Sequence, residues 1–349
     1  MNPTANSCVA VAIIVLGLGA GCSQIPRGAA YPEFTPDQRR AGEAYEQAAV
    51  LQELRHDDER VATVAFRIAT TSAQLCSETT PLTGLVLSSR LQYRPRLRSA
   101  AADALGLSFE PTIEAVVSGG PADTAGLQEG DVLLAIDGLV LTPPPTGSDA
   151  PASYQPVARA LAQLRAALDK GPATLTVRRQ GAEIALKLGS VLGCAYDAHV
   201  LPSKEVNASA DGRHVFITTG LVRYALTDDD LAVVLAHEYA HNLLHHHHQL
   251  DRHGFARKFL GAAGSTPGSL RTAEKEADYV GLYLLARAGY DISAAPRFWR
   301  RFAADYGDAW YVRWSHPGSL ERAVSLDAAR REIQQKITAG RPLTPRMPP

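Results

Sequence analysis

One stretch of the chain decides how the rest is interpreted: Thr227-Asp-Asp-Asp-Leu-Ala-Val-Val-Leu-Ala-His-Glu-Tyr-Ala-His241. Thr227 is a good helix N-cap, and the three aspartates after it fall in the first turn, where the helix dipole favours anions. The apolar residues that follow predict a largely buried helix. Residues four apart return to nearly the same face of a helix, so the imidazoles of His237 and His241 can reach one metal ion.

The same residues carry a chemical pattern, because His237, Glu238 and His241 spell H-E-x-x-H, as in zinc proteases. Glu238, beside the first histidine, is placed to hold and deprotonate a water molecule activated by the metal. The alternative is a core helix with two histidines satisfied by ordinary hydrogen bonds. A catalytic zinc needs three protein ligands and one open position, so a third ligand is expected elsewhere in the chain.

The candidate third ligand lies downstream, in Thr272-Ala-Glu-Lys-Glu-Ala-Asp-Tyr-Val-Gly281, which we interpret as a second helix. H-E-x-x-H followed by E-x-x-A-D-x-x-G resembles the HtpX- and CAAX-prenyl-protease-like gluzincins (metallopeptidase family forty-eight). The resemblance implies that Glu274 is the third ligand of one Zn²⁺ per chain and that Asp278 accepts the free N–H of a ligating imidazole. Glu276 is the rival ligand, but two residues away on a helix it faces another direction. The alternative for Glu274 is a solvated surface carboxylate.

A further motif resembles the same family: Ser315-His316-Pro317, with Arg322 six residues after the histidine. The resemblance implies that His316 approaches the metal or the reacting carbonyl. It could donate to the developing oxyanion or occupy the open metal position as a plug, and the sequence does not separate these roles. Arg322 is interpreted as an orienting residue. The resemblance covers about residues 201–325.

The histidine run His245–His248 follows the metal motif directly. His245 would lie one turn beyond His241 on a continuing helix, which suggests a fourth ligand. A zinc ion already bound by two histidines and a glutamate needs an open position for catalysis. We therefore interpret the run as a solvated helix end with adventitious metal affinity.

A different pattern occupies the middle of the chain: Pro111-Thr-Ile-Glu-Ala-Val-Val-Ser-Gly-Gly-Pro-Ala-Asp-Thr-Ala-Gly-Leu-Gln-Glu-Gly-Asp-Val-Leu-Leu-Ala-Ile-Asp-Gly138. It resembles a bacterial PDZ domain. Pro121 is tolerated at the start of a short helix, Gly126 ends that helix, and Asp137-Gly138 is a hairpin turn after the strand 132–136. A helix near 156–169 and two strands joined at Gln180-Gly181 follow.

PDZ domains bind extended peptides by strand addition, and a loop of backbone N–H groups takes the terminal carboxylate. By resemblance, Leu105, Gly106 and Leu107 match that loop, with the helix 156–169 as the other wall of the groove. Recognition of an internal peptide and a purely architectural role remain open.

The N-terminal segment predicts export. Residues 9–20 form an apolar run typical of a signal-peptide core and short for a membrane span. The small residues before Cys22 resemble a bacterial lipoprotein cleavage site, which implies a lipid anchor on Cys22 and an outer-membrane location facing the periplasm; a plain secretory signal is the alternative. In an exported chain the remaining pair, Cys76 and Cys194, favours one disulfide over two separate buried thiols.

The predicted fold class is α+β, with a mostly helical gluzincin peptidase domain that has a small β-edge and an inserted PDZ domain. Two helices are predicted at 36–57 and 58–74, one strand at 85–87, and another in the second half of 203–221. The predicted order is signal peptide and lipobox 1–22, tether 23–35, N-terminal helical part of the peptidase 36–100, PDZ 101–190, zinc metallopeptidase 191–338 and disordered tail 339–349.

The functional hypothesis is a zinc-dependent metalloendopeptidase of the bacterial cell envelope that cleaves unfolded or misassembled proteins, with the PDZ domain recognising or gating the substrate. The charge balance of 35 basic and 36 acidic side chains argues against a nucleic-acid partner. The alternative is a PDZ-based peptide-binding or chaperone-like adaptor whose zinc site is structural or plugged.

Overall fold

The computed structural model describes residues 34–142, 150–246, 267–306 and 319–346. The predicted signal peptide, the tether up to residue 33, Cys22 and His316 lie outside these residues. Residues 1–43 form one compact unit and residues 44–349 a second. The described part of the first unit is the start of a helix, and all contacts given below belong to the second. Among the described segments, no helix combines the length and the apolar character needed to span a bilayer.

The chain is α+β, as predicted. Its helices are α1 Pro36–Thr71, α2 Arg98–Leu105, α3 Pro121–Thr124, α4 Gln155–Leu168, α5 Thr219–Tyr224, α6 Asp228–Leu243, α7 Pro267–Arg287, α8 Ala294–Tyr306 and α9 Ser319–Thr338. Its strands are β1 Thr79–Leu82, β2 Leu85–Ser88, β3 Thr112–Val116, β4 Val132–Ile136, β5 Leu139–Val140, β6 Ala173–Arg179, β7 Ala182–Leu188, β8 Val191–Cys194, β9 Asp197–Leu201, β10 Ala208–Ala210 and β11 His214–Thr218.

The first helix is continuous, so the prediction of two helices meeting at Asp57 and Asp58 is wrong. No glycine or proline interrupts the sequence from residue 44 to 71, and nothing else there stops helix propagation. Asp57 is buried within the helix and its carboxylate lies 3.5 Å from the Arg223 guanidinium. The acidic pair is therefore an internal charged site of α1 and not a helix boundary.

A six-stranded sheet forms the PDZ unit, with strand order β2-β3-β4-β6-β7 and β5 paired to β4. Helix α4 packs on this sheet through buried Val157, Ala160 and Leu164. The predicted hairpin turns are confirmed, with positive φ at Asp137 and Gln180 and at the glycines that follow them. Strand β2, which precedes the predicted domain boundary at residue 101, pairs antiparallel with β3 and belongs to the same sheet.

The largest hydrophobic core among the described residues is built from chain segments on both sides of the PDZ-like sheet. Buried residues of α1, such as Ile68, pack in one cluster with buried residues of α6, α7, α8 and α9. The predicted disulfide between Cys76 and Cys194 is present, with Cα atoms 5.5 Å apart. Strands β1 and β8 pair antiparallel at the same place, with Thr79 opposite Cys194. The two chain segments that lead into and out of the PDZ sheet are therefore joined by both hydrogen bonds and a covalent bridge.

A three-stranded sheet, in the order β10-β11-β9, lies beside α6. Strand β11 confirms the alternation predicted in the second half of 203–221. Asn242, the residue after His241, fixes the β10–β11 hairpin to the metal-motif helix. Its side chain accepts from the Gly212 N–H at 2.7 Å and donates to the His214 carbonyl at 3.2 Å.

Candidate metal centre

Helix α6 begins as the sequence predicts. The Thr227 hydroxyl accepts a hydrogen bond from the Asp230 N–H at 3.2 Å, and this satisfies one of the free amides of the first turn. The helix is buried on almost every side, which is why its sequence is apolar around most of its circumference. His237 and Glu238 are both buried, and His241 is partly exposed. The motif therefore lies inside the domain with one histidine at its rim.

Three side chains from two helices converge to form the site. The Nε2 atoms of His237 and His241 are 3.1 Å apart. The Glu274 carboxylate of α7 lies 3.3 Å from His237 Nε2 and 3.4 Å from His241 Nε2. One ligand atom from each of the three residues lies within 4.8 Å of the others. Two imidazoles and one carboxylate arranged in this way fit the donor set of a catalytic zinc site, so the predicted ligands are brought together.

Close packing of α7 on α6 delivers Glu274 to the histidines, and Gly281 makes it possible. A Cβ atom at Gly281 would lie 3.1 Å from the Ala236 carbonyl oxygen and 3.1 Å from the backbone N and Cα of His237. Ala277, one turn earlier on α7, is fully buried and is also small. The A-D-x-x-G spacing therefore has a physical role, since small residues on one face let the two helix backbones approach.

His237 is oriented by a buried ion pair behind it. Asp278 Oδ1 lies 3.0 Å from His237 Nδ1, and Arg322 donates to both Asp278 oxygens, at 2.7 Å and 2.6 Å. The Arg322 guanidinium lies 3.5 Å from the centre of the Trp299 ring. Asp278 and Arg322 thus occupy the orienting places that the resemblance implied. Trp299 was missed, because no pattern in the sequence connects it to the motif.

The neighbouring charges and hydrogen bonds shift the pKa values of Asp278 and His237. Burial alone would raise the pKa of Asp278, but Arg322 and His237 lower it, so the carboxylate stays ionised. Burial alone would lower the pKa of His237, but hydrogen bonds to Asp278 and Glu274 raise it to about 9 in the metal-free site. A site that stabilises a cation on His237 in this way is a site with strong negative potential, which suits a divalent metal ion.

The histidine run differs from the prediction. Helix α6 ends at Leu243, and His245 has a positive φ of 54° and an exposed side chain, so it does not continue the helical face of His241. The chain instead turns His246 back toward the site, where it is only 2% exposed. Its Nδ1 lies 3.0 Å from His241 Nδ1, and its Nε2 lies 3.1 Å from a Glu276 oxygen.

The interpretation of the run as a solvated helix end is therefore wrong for His246, whereas His247 and His248 lie outside the described residues. Burial, and after it the positive charge of the nearby histidines, lowers the pKa of His246 to about 3. Its imidazole is thus neutral near pH 7, with one ring nitrogen that donates and one that accepts. Glu276, the rejected rival ligand, is not one of the three residues that converge, and its carboxylate contacts this outer histidine.

The geometry does not support the predicted carboxylate loop at Leu105, Gly106 and Leu107. Gly106 is the left-handed C-cap of α2, with a φ of 67°. The N–H groups of Gly106 and Leu107 already donate to carbonyl oxygens of α2, and both leucines are buried against Leu51 of α1. These amides are engaged inside the fold, so they do not offer the free N–H groups that a carboxylate needs.

Two protein-family models match parts of this chain. Residues 112–149 match the model of the PDZ domain, and residues 173–259 match the model of peptidase family M48. Residues 173–259 are thus similar to peptidase family M48, and the matched range includes the H-E-x-x-H helix. Glu274, Asp278 and Arg322 lie beyond the matched range, and their geometry alone connects them to the motif.

Two curated proteins with similar sequences are named as peptidases. The chain is 30% identical over 187 residues to the mitochondrial metalloendopeptidase OMA1 of Schizosaccharomyces pombe, a match that covers 47% of this chain and 55% of the relative. It is 32% identical over 136 residues to the putative beta-barrel assembly-enhancing protease of Vibrio cholerae, covering 31% of this chain and 28% of the relative. The chain thus spans about half the length of the first relative and less of the second.

Two solved structures each match about a third of the chain. The HtrA3 PDZ domain bound to a phage-derived ligand is 15% identical, with a TM-score of 0.23, and the match covers 33% of this chain and 89% of that structure. The HtrA-type protease AlgW with a decapeptide is 22% identical with the same TM-score of 0.23, covering 33% of this chain and 30% of that structure.

Proposed function

We propose that this chain is a zinc-dependent endopeptidase of peptidase family M48. The observation that carries the proposal is the convergence of His237, His241 and Glu274 on one point, with Glu238 buried on the same helix between the two histidines. A purely structural zinc site has four protein ligands and needs no neighbouring base. Three ligands plus an adjacent carboxylate are the arrangement of a hydrolytic site.

The chemistry divides between the metal and the chain. Zinc, when bound by the two histidines and Glu274, polarises a carbonyl oxygen and makes water a stronger acid. Glu238 takes the proton from the attacking water and returns it to the leaving amine, which is general base and then general acid catalysis. Asp278 holds His237 in the tautomer whose Nε2 lone pair can bind the metal. His316, which lies outside the described residues, is proposed to donate to the oxyanion or to plug the open position.

We place the substrate strand on the small sheet beside the site. Among the described strands, β10 pairs only with β11, and its other edge is the proposed place for strand addition. Asn242 ties this hairpin to α6 directly after the proposed ligand His241. An extended polypeptide added there would join the sheet that packs against the metal-motif helix, which suits an endopeptidase acting on unfolded chain.

The proposal includes a location and a role for the PDZ domain. The disulfide between Cys76 and Cys194 favours an oxidising compartment. One relative is named as a beta-barrel assembly-enhancing protease of a bacterium, which supports a bacterial envelope location and misassembled envelope proteins as substrates. We propose further that Cys22 carries a lipid anchor at the outer membrane and that the PDZ domain recognises or gates the substrate.

The test is cleavage of an unfolded protein, such as casein, by the purified zinc-loaded chain and by Glu238→Gln. The variant is expected to retain zinc and to lose activity by roughly 10²- to 10⁴-fold, since it cannot accept a proton. Glu59→Gln, an exposed carboxylate on α1, is the matched control and is expected to behave as wild type. His316→Ala is a third sample, and activity that appears only in that variant identifies a plug.

Two results would count against the proposal. Equal cleavage by wild type and Glu238→Gln would remove the proposed base from the mechanism. No cleavage by any of the variants, with zinc binding confirmed, would favour the adaptor function in which the PDZ domain binds peptides and the metal site is structural.

A further inference from the structure

The two metal-ligating histidines are supported on their outer sides in different ways. His237 Nδ1 lies 3.0 Å from the Asp278 carboxylate, the direct contact that the resemblance implied. His241 Nδ1 lies 3.0 Å from a second imidazole, that of His246. The other ring nitrogen of His246 lies 3.1 Å from Glu276, so this intervening ring connects the Nδ1 side of His241 to the Glu276 carboxylate.

The positions of the hydrogens along these contacts are set by the ligand role. His241 Nε2 faces Glu274 and His237 Nε2, so the metal-binding nitrogen is Nε2 and must carry no hydrogen. His241 then carries its hydrogen on Nδ1 and donates it to His246 Nδ1. His246 must therefore carry its own hydrogen on Nε2, which faces the Glu276 carboxylate. Each of these two N–H groups thus donates to one acceptor, and the last acceptor is the negatively charged Glu276 carboxylate.

We propose that His246 and Glu276 are positioning residues for the metal ligand His241, acting as a two-step relay that fixes its tautomer and ring orientation. The inference rests on the metal site of the proposed function. It adds that the single helix α7 supplies the ligand Glu274 and the outer carboxylates of both histidines, Asp278 and Glu276.

Burial explains why such support is needed at this position. The side chain of His241 is 14% exposed, whereas that of His237 is 3% exposed, so the protein surrounds His241 less completely. His246 is 2% exposed and covers the outer side of the His241 ring, with ring centres 5.0 Å apart. Burying an imidazole is costly unless its polar atoms are satisfied, and here both nitrogens of His246 have partners.

The backbone shows how His246 reaches this place. Leu244 caps α6, and the His245 N–H donates to the Asn242 carbonyl at 3.0 Å as the chain turns through a positive φ of 54°. Non-glycine residues adopt this conformation at a cost, so contacts made by neighbouring residues must stabilise the turn. The contact of His246 with both His241 and Glu276 is such a stabilising interaction.

The experiment measures zinc affinity of the full chain by competition with a chromophoric chelator, for wild type, His246→Ala and Glu276→Gln. Loss of an outer-shell partner typically weakens metal binding by roughly 10- to 100-fold, which is the expected effect of His246→Ala. Glu276→Gln keeps the shape and an acceptor oxygen, so a weaker loss in the same direction is expected. His246→Gln, which offers one acceptor and one donor, is expected to recover part of the affinity.

A second readout separates positioning from a merely structural role. With Co²⁺ as the probe metal, the visible absorption bands report the geometry of the ligands, and they are expected to shift in His246→Ala and Glu276→Gln. The matched controls are His56→Asn and Glu59→Gln, both exposed on α1, and they are expected to leave affinity and spectrum unchanged. Circular dichroism confirms that each variant is folded.

The proposal is overturned if the folded variants bind zinc within about threefold of wild type and give the same cobalt spectrum. Because Glu276 lies at the rim, with its side chain 33% exposed, its variant is expected to fold even if His246→Ala does not. If wild type itself binds neither metal, the metal site fails and this inference fails with it. If wild type binds metal and the relay variants leave both the zinc affinity and the cobalt spectrum unchanged, this inference alone fails.

Discussion

Replacing Arg322 with Met is expected to destabilise the protein strongly, because the buried Asp278 carboxylate loses the guanidinium that donates two hydrogen bonds to it. Arg322 donates to Asp278 at 2.7 Å and 2.6 Å and lies 3.5 Å over the Trp299 ring, and both charged residues are buried. Breaking a buried pair by removing one partner costs about 3–5 kcal/mol, and the lost cation–π contact adds about 1 kcal/mol. We therefore expect the free energy of unfolding to fall by about 5 kcal/mol.

The assay is urea denaturation followed by tryptophan fluorescence, with a chelator present so that metal binding does not contribute to stability. The double variant Arg322→Met with Asp278→Asn is expected to be more stable than Arg322→Met alone, because it no longer buries an ionised carboxylate that lacks its Arg322 hydrogen bonds. The matched control is Arg300→Met. Its ion pair with Asp327 is also 2.7 Å long, but the Arg300 side chain is 54% exposed, so a loss below about 1 kcal/mol is expected.

Two outcomes would refute this reasoning. A loss from Arg322→Met as small as that from Arg300→Met would mean that burial does not set the energy of the pair. A double variant no more stable than Arg322→Met would mean that the cost comes from lost packing against Trp299 and not from the isolated charge of Asp278.

Three further predictions concern other parts of the fold. Gly281→Ala is expected to separate α7 from α6 and cost about 1–3 kcal/mol in urea denaturation, with weaker zinc binding in the same chelator competition. Burial, and after it the charges of Glu114 and Asp57, raises the pKa of Asp58 to about 7. The folded state thus holds this proton more tightly than the unfolded chain, and stability is lost as the pH rises from about 4 through about 7. Asp58→Asn is expected to remove that loss and to raise the free energy of unfolding at pH 8, relative to its effect at pH 4, by about 4 kcal/mol; an equal effect at both pH values would contradict it. Replacing Cys76 and Cys194 together with Ala opens a loop with a sequence separation of 118 residues, and calorimetry is expected to show a loss of about 3–5 kcal/mol.

The sequence was sufficient for the parts of the site that depend on helical periodicity. The four-residue spacing of His237 and His241 predicts a shared face, and the structure has their Nε2 atoms 3.1 Å apart. Glu274 and Asp278 were assigned through a motif, and helix geometry explains the assignment because they lie one turn apart on α7. Helical spacing and the motif therefore predicted which side chains come together at the candidate metal site.

The prediction from helical periodicity was wrong beyond the end of α6. Extending α6 past Leu243 pointed to His245 as the neighbour of His241, but the chain turns at that residue and brings in His246 instead. Nothing in a histidine run shows which member the backbone will turn inward. The one clue in the sequence to an inward-turned histidine was Glu276, a second carboxylate near Glu274. The sequence analysis considered it only as a rival metal ligand.

The PDZ boundary shows a second limit of local patterns. Leu85–Leu87 was predicted correctly as a strand, but a strand alone does not reveal its partners. Pairing with β3 across a long separation assigns β2 to the PDZ sheet. The same limit applies to Leu105–Leu107, whose glycine suits a binding loop and a helix C-cap equally well, and only the packing on α1 decides between them.

The bridge between Cys76 and Cys194 also determines what happens to this protein under attack by another protease. Every residue of the PDZ sheet lies between the two cysteines. A cut at any peptide bond in that interval severs the backbone but leaves both fragments on one molecule until the bridge is reduced. Nicked protein would therefore run as one species on a non-reducing gel and as two on a reducing gel. The metal-bearing core, whose parts lie on both sides of the interval, would keep its first helix attached.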